Sequence, residues 1–153
     1  MKNDLHSERT VIHDRVEEAR SGANPYVICK LETCWVTAAS RPLLPGHCVT
    51  FADPVVFSVN DMSEDLRMRY WRDVCRVGDA LMKVTGSYRI NYETLCNVAQ
   101  ALHSHITPRQ MSEPEEKRRE RAAVAYAEQD FDLQKEKAFI EAMKAELNRT
   151  RFD

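Results

Sequence analysis

The sequence predicts a single α+β domain in which an antiparallel sheet packs against one long helix, with further helices at the N- and C-terminal ends. Three observations carry this. Short β-prone runs cluster between residues 26 and 51, an apolar stripe at three- and four-residue steps follows from Leu66 to Val84, and two more β-prone runs come before residue 110. A chain of 153 residues is long enough for one real hydrophobic core and too short for two comfortable ones.

Taken in order, the segment from Ser7 to Arg20 places Val11, Ile12, Val16 and Ala19 at helical spacing among charges, with Ser21 and Gly22 as its stop. Tyr26 to Cys29 and Cys34 to Thr37 read as two antiparallel strands. Arg41 to Gly46 contains two prolines and a glycine and bridges to a third strand, His47 to Phe51, which Asp53 and Pro54 close. The long helix begins after Ser63, carries Leu66, Tyr70, Val74, Val77, Leu81 and Val84 on its apolar side, and ends at Thr85 and Gly86. Arg67, Arg69, Arg72 and Arg76 then form a solvated face. Arg89 to Tyr92 and Ala101 to Thr107 are strands, the second ended by Pro108. Residues 113–121 read as a solvated, charged connection, and Phe131 to Leu147 as a docking helix carrying Phe139, Ile140, Met143 and Leu147. The expected organisation is an N-terminal helical segment at 1–22, a core at 23–110, and a charged connection with its helix at 111–153. Trp35 and Trp71 are expected as core or interface anchors.

The 22 basic and 24 acidic residues nearly cancel, so no global field recruits a nucleic acid polymer or an anionic membrane. The five cysteines are scattered, odd in number and never spaced as a CxxC pair, which fits reduced thiols and a cytoplasmic protein. The N-terminus lacks the apolar run of a signal peptide, and no window approaches the roughly 18 apolar residues of a membrane span.

The chemistry concentrates in Leu102 to Arg109. His103 and His105 alternate along a strand, so they share a face roughly 7 Å apart. Either imidazole can serve as nucleophile, proton carrier or metal ligand near neutral pH. Simple packing on a sheet face weighs less. So does a metal site with His47 as third ligand, because zinc wants three or four placed donors and no cysteine or carboxylate is spaced for it. No metal and no cofactor are expected. His6 and His13 are assigned no chemistry.

Leu44-Pro45-Gly46-His47, followed across a helix by Asn97 to Arg109 with its His-x-His-Ile-x-Pro-Arg ending, resembles the histidine triad (HIT) superfamily over roughly Tyr26 to Arg109. Asn91-Tyr92-Glu93 together with the shortened ending is similar to a bacterial subset. The resemblance implies a HIT-like fold, a homodimer, and a ligand that is a nucleoside phosphate or dinucleotide. It implies His103 as the nucleophile that forms a covalent nucleotidyl-histidine, which water then releases. One ring nitrogen of His103 must then be free and the other must donate to a backbone carbonyl. His105 would stabilise charge on the phosphate, and His47 would orient the pair from behind. Asn91, through a one-residue gap, and Asn97, where many members carry glutamine, match polar groups near the ribose and phosphate; both also suit strand ends. Arg109 either grips phosphate or closes the strand at the surface. Two departures stand out: Ala101 occupies the first triad position, and Ala39 stands near the usual ribose-binding Asp or Asn. Two readings stay open, a nucleotidyl hydrolase or transferase and a nucleotide-binding protein with little or no turnover. A purely structural scaffold fits less well.

Overall fold

The computed structural model describes residues 8–152. His6, and Ser7 where the first helix is expected to begin, lie outside them. The chain forms α1 (Val11–Ser21), β1 (Val27–Lys30), β2 (Cys34–Ala38), β3 (Cys48–Ala52), α2 (Glu64–Thr85), β4 (Arg89–Glu93), β5 (His103–Arg109), the short α3 (Glu115–Arg118) and α4 (Ala122–Ala125), and α5 (Leu133–Arg149). The sheet has five antiparallel strands in the order β1-β2-β3-β5-β4.

Local chemistry sets the helix limits. The Thr10 hydroxyl accepts from the Ile12 N–H, the His13 ring accepts from the Thr10 N–H, and Gly22 ends α1 in the left-handed conformation. Ser63 caps α2 by accepting from the Leu66 N–H, and Gly86 closes it.

The two faces of the sheet are covered differently. One face buries Cys34, Val36, Cys48, Ile106 and Leu102 against Tyr70, Val74, Val77 and Leu81 of α2 and Ile140, Met143 and Leu147 of α5. That is the docking role expected of the C-terminal helix. On the other face α1 packs Ile12 and Val16 onto Val49 and Phe51. It leaves the β5 end of that face open.

Three sequence expectations change. Pro108 does not end β5, which continues to Arg109; Pro108 pairs with Ile90 alone, beyond the last β3 pair at Cys48 and Ile106, where a residue without an N–H is tolerated. The charged stretch after Arg109 is not merely solvated: it contains α3, leads into α4, and its Lys117 and Glu120 carbonyls accept from Arg109 of β5. The α2 arginines are tied down as well as exposed: Arg69 and Arg72 both bond Glu32, and Arg76 donates to the Leu147 carbonyl.

Candidate active site

β3 and β5 pair so that Phe51 faces His103 and Val49 faces His105. These four side chains line a cavity of about 810 Å³ that α1, the 94–100 loop and the 121–128 segment also wall. The rings of His103 and His105 lie 5.3 Å apart, centroid to centroid and nearly perpendicular. Both are half-buried and face the cavity.

The hydrogen bonds of each ring define what it offers. A carbonyl only accepts, so the 2.7 Å contact from His103 Nδ1 to the Ala101 carbonyl puts a proton on Nδ1. In the neutral ring Nε2 then carries a free lone pair. This is the arrangement required of a nucleophilic histidine, and it uses the main chain of Ala101 rather than its side chain.

The opposite holds for His105. The Leu43 N–H donates to His47 Nδ1 at 3.2 Å, so the proton of neutral His47 sits on Nε2. His47 Nε2 lies 3.0 Å from His105 Nδ1 and donates to it. His105 Nδ1 is thereby an acceptor, and its own proton is carried on Nε2. A lone pair on His103 stands beside an N–H donor on His105.

Burial explains why His47 stays neutral. It is 4% exposed, and burial first and His105 second pull its pKa down to about 3. Burial and the neighbouring His103 also lower His105, opposed by Glu93 and Glu128. For His103 burial acts downward, but hydrogen bonding to Cys96 and to the Ala101 carbonyl outweighs it and the net shift is upward. Cys96 shows the reverse: burial raises its thiol, yet hydrogen bonding with His103 brings it below the ordinary value.

The turn and the loop that frame these rings are held in place. Gly46 adopts φ +86°, and a Cβ there would come within 3.0 Å of Cγ of Pro108. The Pro-Gly-His turn and the Pro-Arg strand end are therefore in contact. Behind β5, Tyr70 bonds Ser104 at 2.8 Å, and Ser104 bonds Thr94 at 2.7 Å, which fixes the start of the 94–100 loop. Within that loop Cys96 has φ +54°, and its thiol donates to the His103 carbonyl at 3.3 Å.

His47, His103, His105 and Asn97 all line the cavity. Ala39 lines it too, without a polar group to offer a ribose. Asn91 and Arg109 do not reach it. Arg109 is 1% exposed, and all five of its N–H donors are engaged, by the Glu113 carboxylate, by Oδ1 of Asn91 at 2.8 Å, and by the carbonyls of Lys117 and Glu120. No donor is left for phosphate. The expected contacts of Arg109 and Asn91 with ligand are replaced by a buried clamp that folds residues 110–120 onto the sheet.

Sequence reasoning missed several cavity residues. Arg41, Cys96, Arg121, Tyr126 and Glu128 line it with no motif of their own, and Glu93 stands out in the sequence only within Asn91-Tyr92-Glu93. Arg121 is the last residue of the run expected to be solvated, yet it lines the cavity, and no local spacing marks it. Among the described residues no group of three His, Cys, Asp or Glu is placed to hold a metal.

No family model matches this sequence, and no curated protein matches it. Solved structures do. A histidine triad protein from Bradyrhizobium japonicum superposes with a TM-score of 0.69 at 20% identity, covering 79% of this chain and 89% of that one. The chain has the histidine triad fold. A hypothetical histidine triad nucleotide-binding protein from Sulfolobus tokodaii gives a TM-score of 0.70 at 12% identity, over 87% of this chain and 90% of that one. A diadenosine triphosphate hydrolase from Plasmodium falciparum gives 0.62 at 13%, over 84% and 80%. The paired histidines on β5 thus sit in a scaffold of the histidine triad fold. No helix among the described residues is long and apolar enough to cross a membrane.

Proposed function

We propose that this chain binds nucleoside phosphates or dinucleoside polyphosphates in the cavity and hydrolyses or transfers the nucleotidyl group through His103. The observation that supports it is the complementary protonation of the two rings. Nε2 of His103 attacks the α-phosphorus, a P–N bond forms, and the P–O bond to the leaving group breaks with its electron pair going to that oxygen. The Nε2–H of His105 bonds a phosphoryl oxygen as charge develops there. Water, or another acceptor, then attacks the same phosphorus, the P–N bond breaks, and the lone pair returns to His103. Phe51, Val49 and Ile12 offer the apolar surface that a base requires.

Two in-line displacements restore the configuration at phosphorus. With a chiral thiophosphoryl substrate, net retention is expected; net inversion means direct attack by water and rejects the covalent route. The second reading, binding with little turnover, is favoured by one observation: Ala101 is apolar and 1% exposed, so that position offers no side-chain proton to a leaving group. Tight nucleotide binding without product over long incubation selects it.

We also propose a homodimer. β4 is an edge strand, and α2 exposes Met68, Trp71 and Met82 on one side, next to Tyr92 of β4, whose hydroxyl occupies the space over Gly78. Light scattering should give twice the chain mass, and a Trp71→Glu variant should give the chain mass. A wild-type monomer at micromolar concentration rejects the dimer.

A further inference from the structure

With Arg109 sealed in its clamp, the positive charge for a polyphosphate has to come from the cavity wall. Three arginines line that wall: Arg15, Arg41 and Arg121. Arg15 pairs with Glu18 one turn along α1. The other two are different, because their partners also line the cavity. Arg121 Nε bonds Glu93 at 2.6 Å, and Arg41 Nε meets Glu128 at 2.9 Å.

Both pairs stand at the His105 end. Glu93 is the direct cross-strand partner of His105. Arg41 lies two residues before Leu43, whose N–H holds the His47 ring that bonds His105. Glu93 and Glu128 are also the two carboxylates that resist the lowering of the His105 pKa by burial and by His103. A nucleotide with its α-phosphorus at His103 and its base on the apolar wall sends its remaining phosphates toward these pairs.

We propose that Arg41 and Arg121 form an exchangeable rim for the distal phosphates of the ligand, each leaving its carboxylate for a phosphate when a polyphosphate binds. The proposal rests on the nucleotide reading of the cavity and adds a specificity to it: the site selects for the number of phosphates. The exchange is feasible because both guanidinium groups are more than half exposed, with side-chain exposures of 65% and 55%. An ion pair in such a position contributes little. A guanidinium bound to phosphate is planar and bidentate, against a partner of higher charge than a carboxylate. Both displaced carboxylates border solvent, Glu128 more than Glu93.

Isothermal calorimetry on the full chain tests this with two uncleavable probes, a nucleoside monophosphate and an α,β-methylene nucleoside triphosphate of the same base. Arg41→Gln and Arg121→Gln should each weaken the triphosphate analogue about tenfold and change the monophosphate less than about twofold. Glu93→Gln and Glu128→Gln should tighten the triphosphate analogue, because they free the arginine. Arginine variants that keep the wild-type preference for the triphosphate overturn the rim. So do glutamate variants that weaken binding as much as the arginine variants, since the pairs would then be latches of the wall. Wild-type protein that binds neither probe rejects the nucleotide reading itself, a result separate from either of those.

Discussion

Nε2 of His47 lies 3.0 Å from Nδ1 of His105, and that contact, backed by the Leu43 N–H on the far side of His47, fixes which nitrogen His105 turns to the cavity. Removing the imidazole should release the tautomer of His105 while sparing the nucleophile. His47→Phe is expected to lower turnover about 10- to 100-fold with nucleotide affinity nearly unchanged. A variant with wild-type kcat shows that His105 needs no such hold.

The same buried ring makes stability depend on pH. The folded pKa of about 3 lies below the ordinary histidine value of 6.5, so the unfolded chain binds the proton more readily. This contribution is complete above about pH 6.5 and is lost as pH falls toward about 3. Between about pH 7 and pH 5, urea unfolding of the wild type should lose about 2 kcal/mol more than His47→Gln loses. Parallel pH dependence in the two proteins would contradict a neutral, buried His47.

His103 must be neutral to attack. Its pKa is raised, burial being outweighed by hydrogen bonds to Cys96 and the Ala101 carbonyl, so the acid limb of kcat/KM should lie above the ordinary value of 6.5. Replacing Cys96 with alanine removes one of the raising groups and should shift that limb downward. An acid limb that does not move in Cys96→Ala separates Cys96 from the titration of the nucleophile.

The Arg109 clamp predicts a stability effect without a binding effect. Arg109→Met leaves the Glu113 carboxylate, whose side chain is 7% exposed, without its countercharge and with only the Gln110 N–H and Tyr126 hydroxyl to bond it, and should cost about 3–5 kcal/mol by urea unfolding. At a temperature where the variant is still folded, its affinity for a nucleoside monophosphate should match the wild type. A well-folded variant that has lost that affinity would restore Arg109 to the ligand.

Two backbone positions should respond in opposite senses. Gly46→Ala puts a side chain at φ +86° against Pro108 and should destabilise by about 1–3 kcal/mol, with activity falling because His47 follows immediately. Cys96 holds φ +54° without being glycine, so Cys96→Gly should keep the fold or gain up to about 1 kcal/mol. Thermal unfolding of both variants decides.

The sequence announces the parts of this molecule whose signals are local. The α2 stripe, the Ser63 and Gly86 stops, and the period-two alternation of His103 and His105 all depend on neighbours a few residues away, and each lands where it is expected. The motifs at Pro45-Gly46-His47 and at His103 to Arg109 are also visible in the sequence, whereas the contact between Gly46 and Pro108 comes from the fold. What could not be read is long-range. Whether Arg109 meets phosphate or Glu113 depends on carbonyls at Lys117 and Glu120 that come near only after the charged stretch folds back. The same folding brings Arg121 to Glu93, and nothing in the spacing of the charges foretells it. Ala101 has no imidazole to offer, yet the part of that residue that orients His103 is its carbonyl, which every residue has.

The measurement that bears most directly on the central claim is trapping of the nucleotidyl-histidine. Protein mixed with an adenylated substrate, quenched at alkaline pH within the first turnovers and digested, should give a peptide spanning His103 that carries one nucleoside monophosphoryl group. The label should be lost in acid and absent from His103→Ala. A fully active wild type with no such adduct, or an adduct that persists in His103→Ala, would contradict the assignment of His103 as nucleophile.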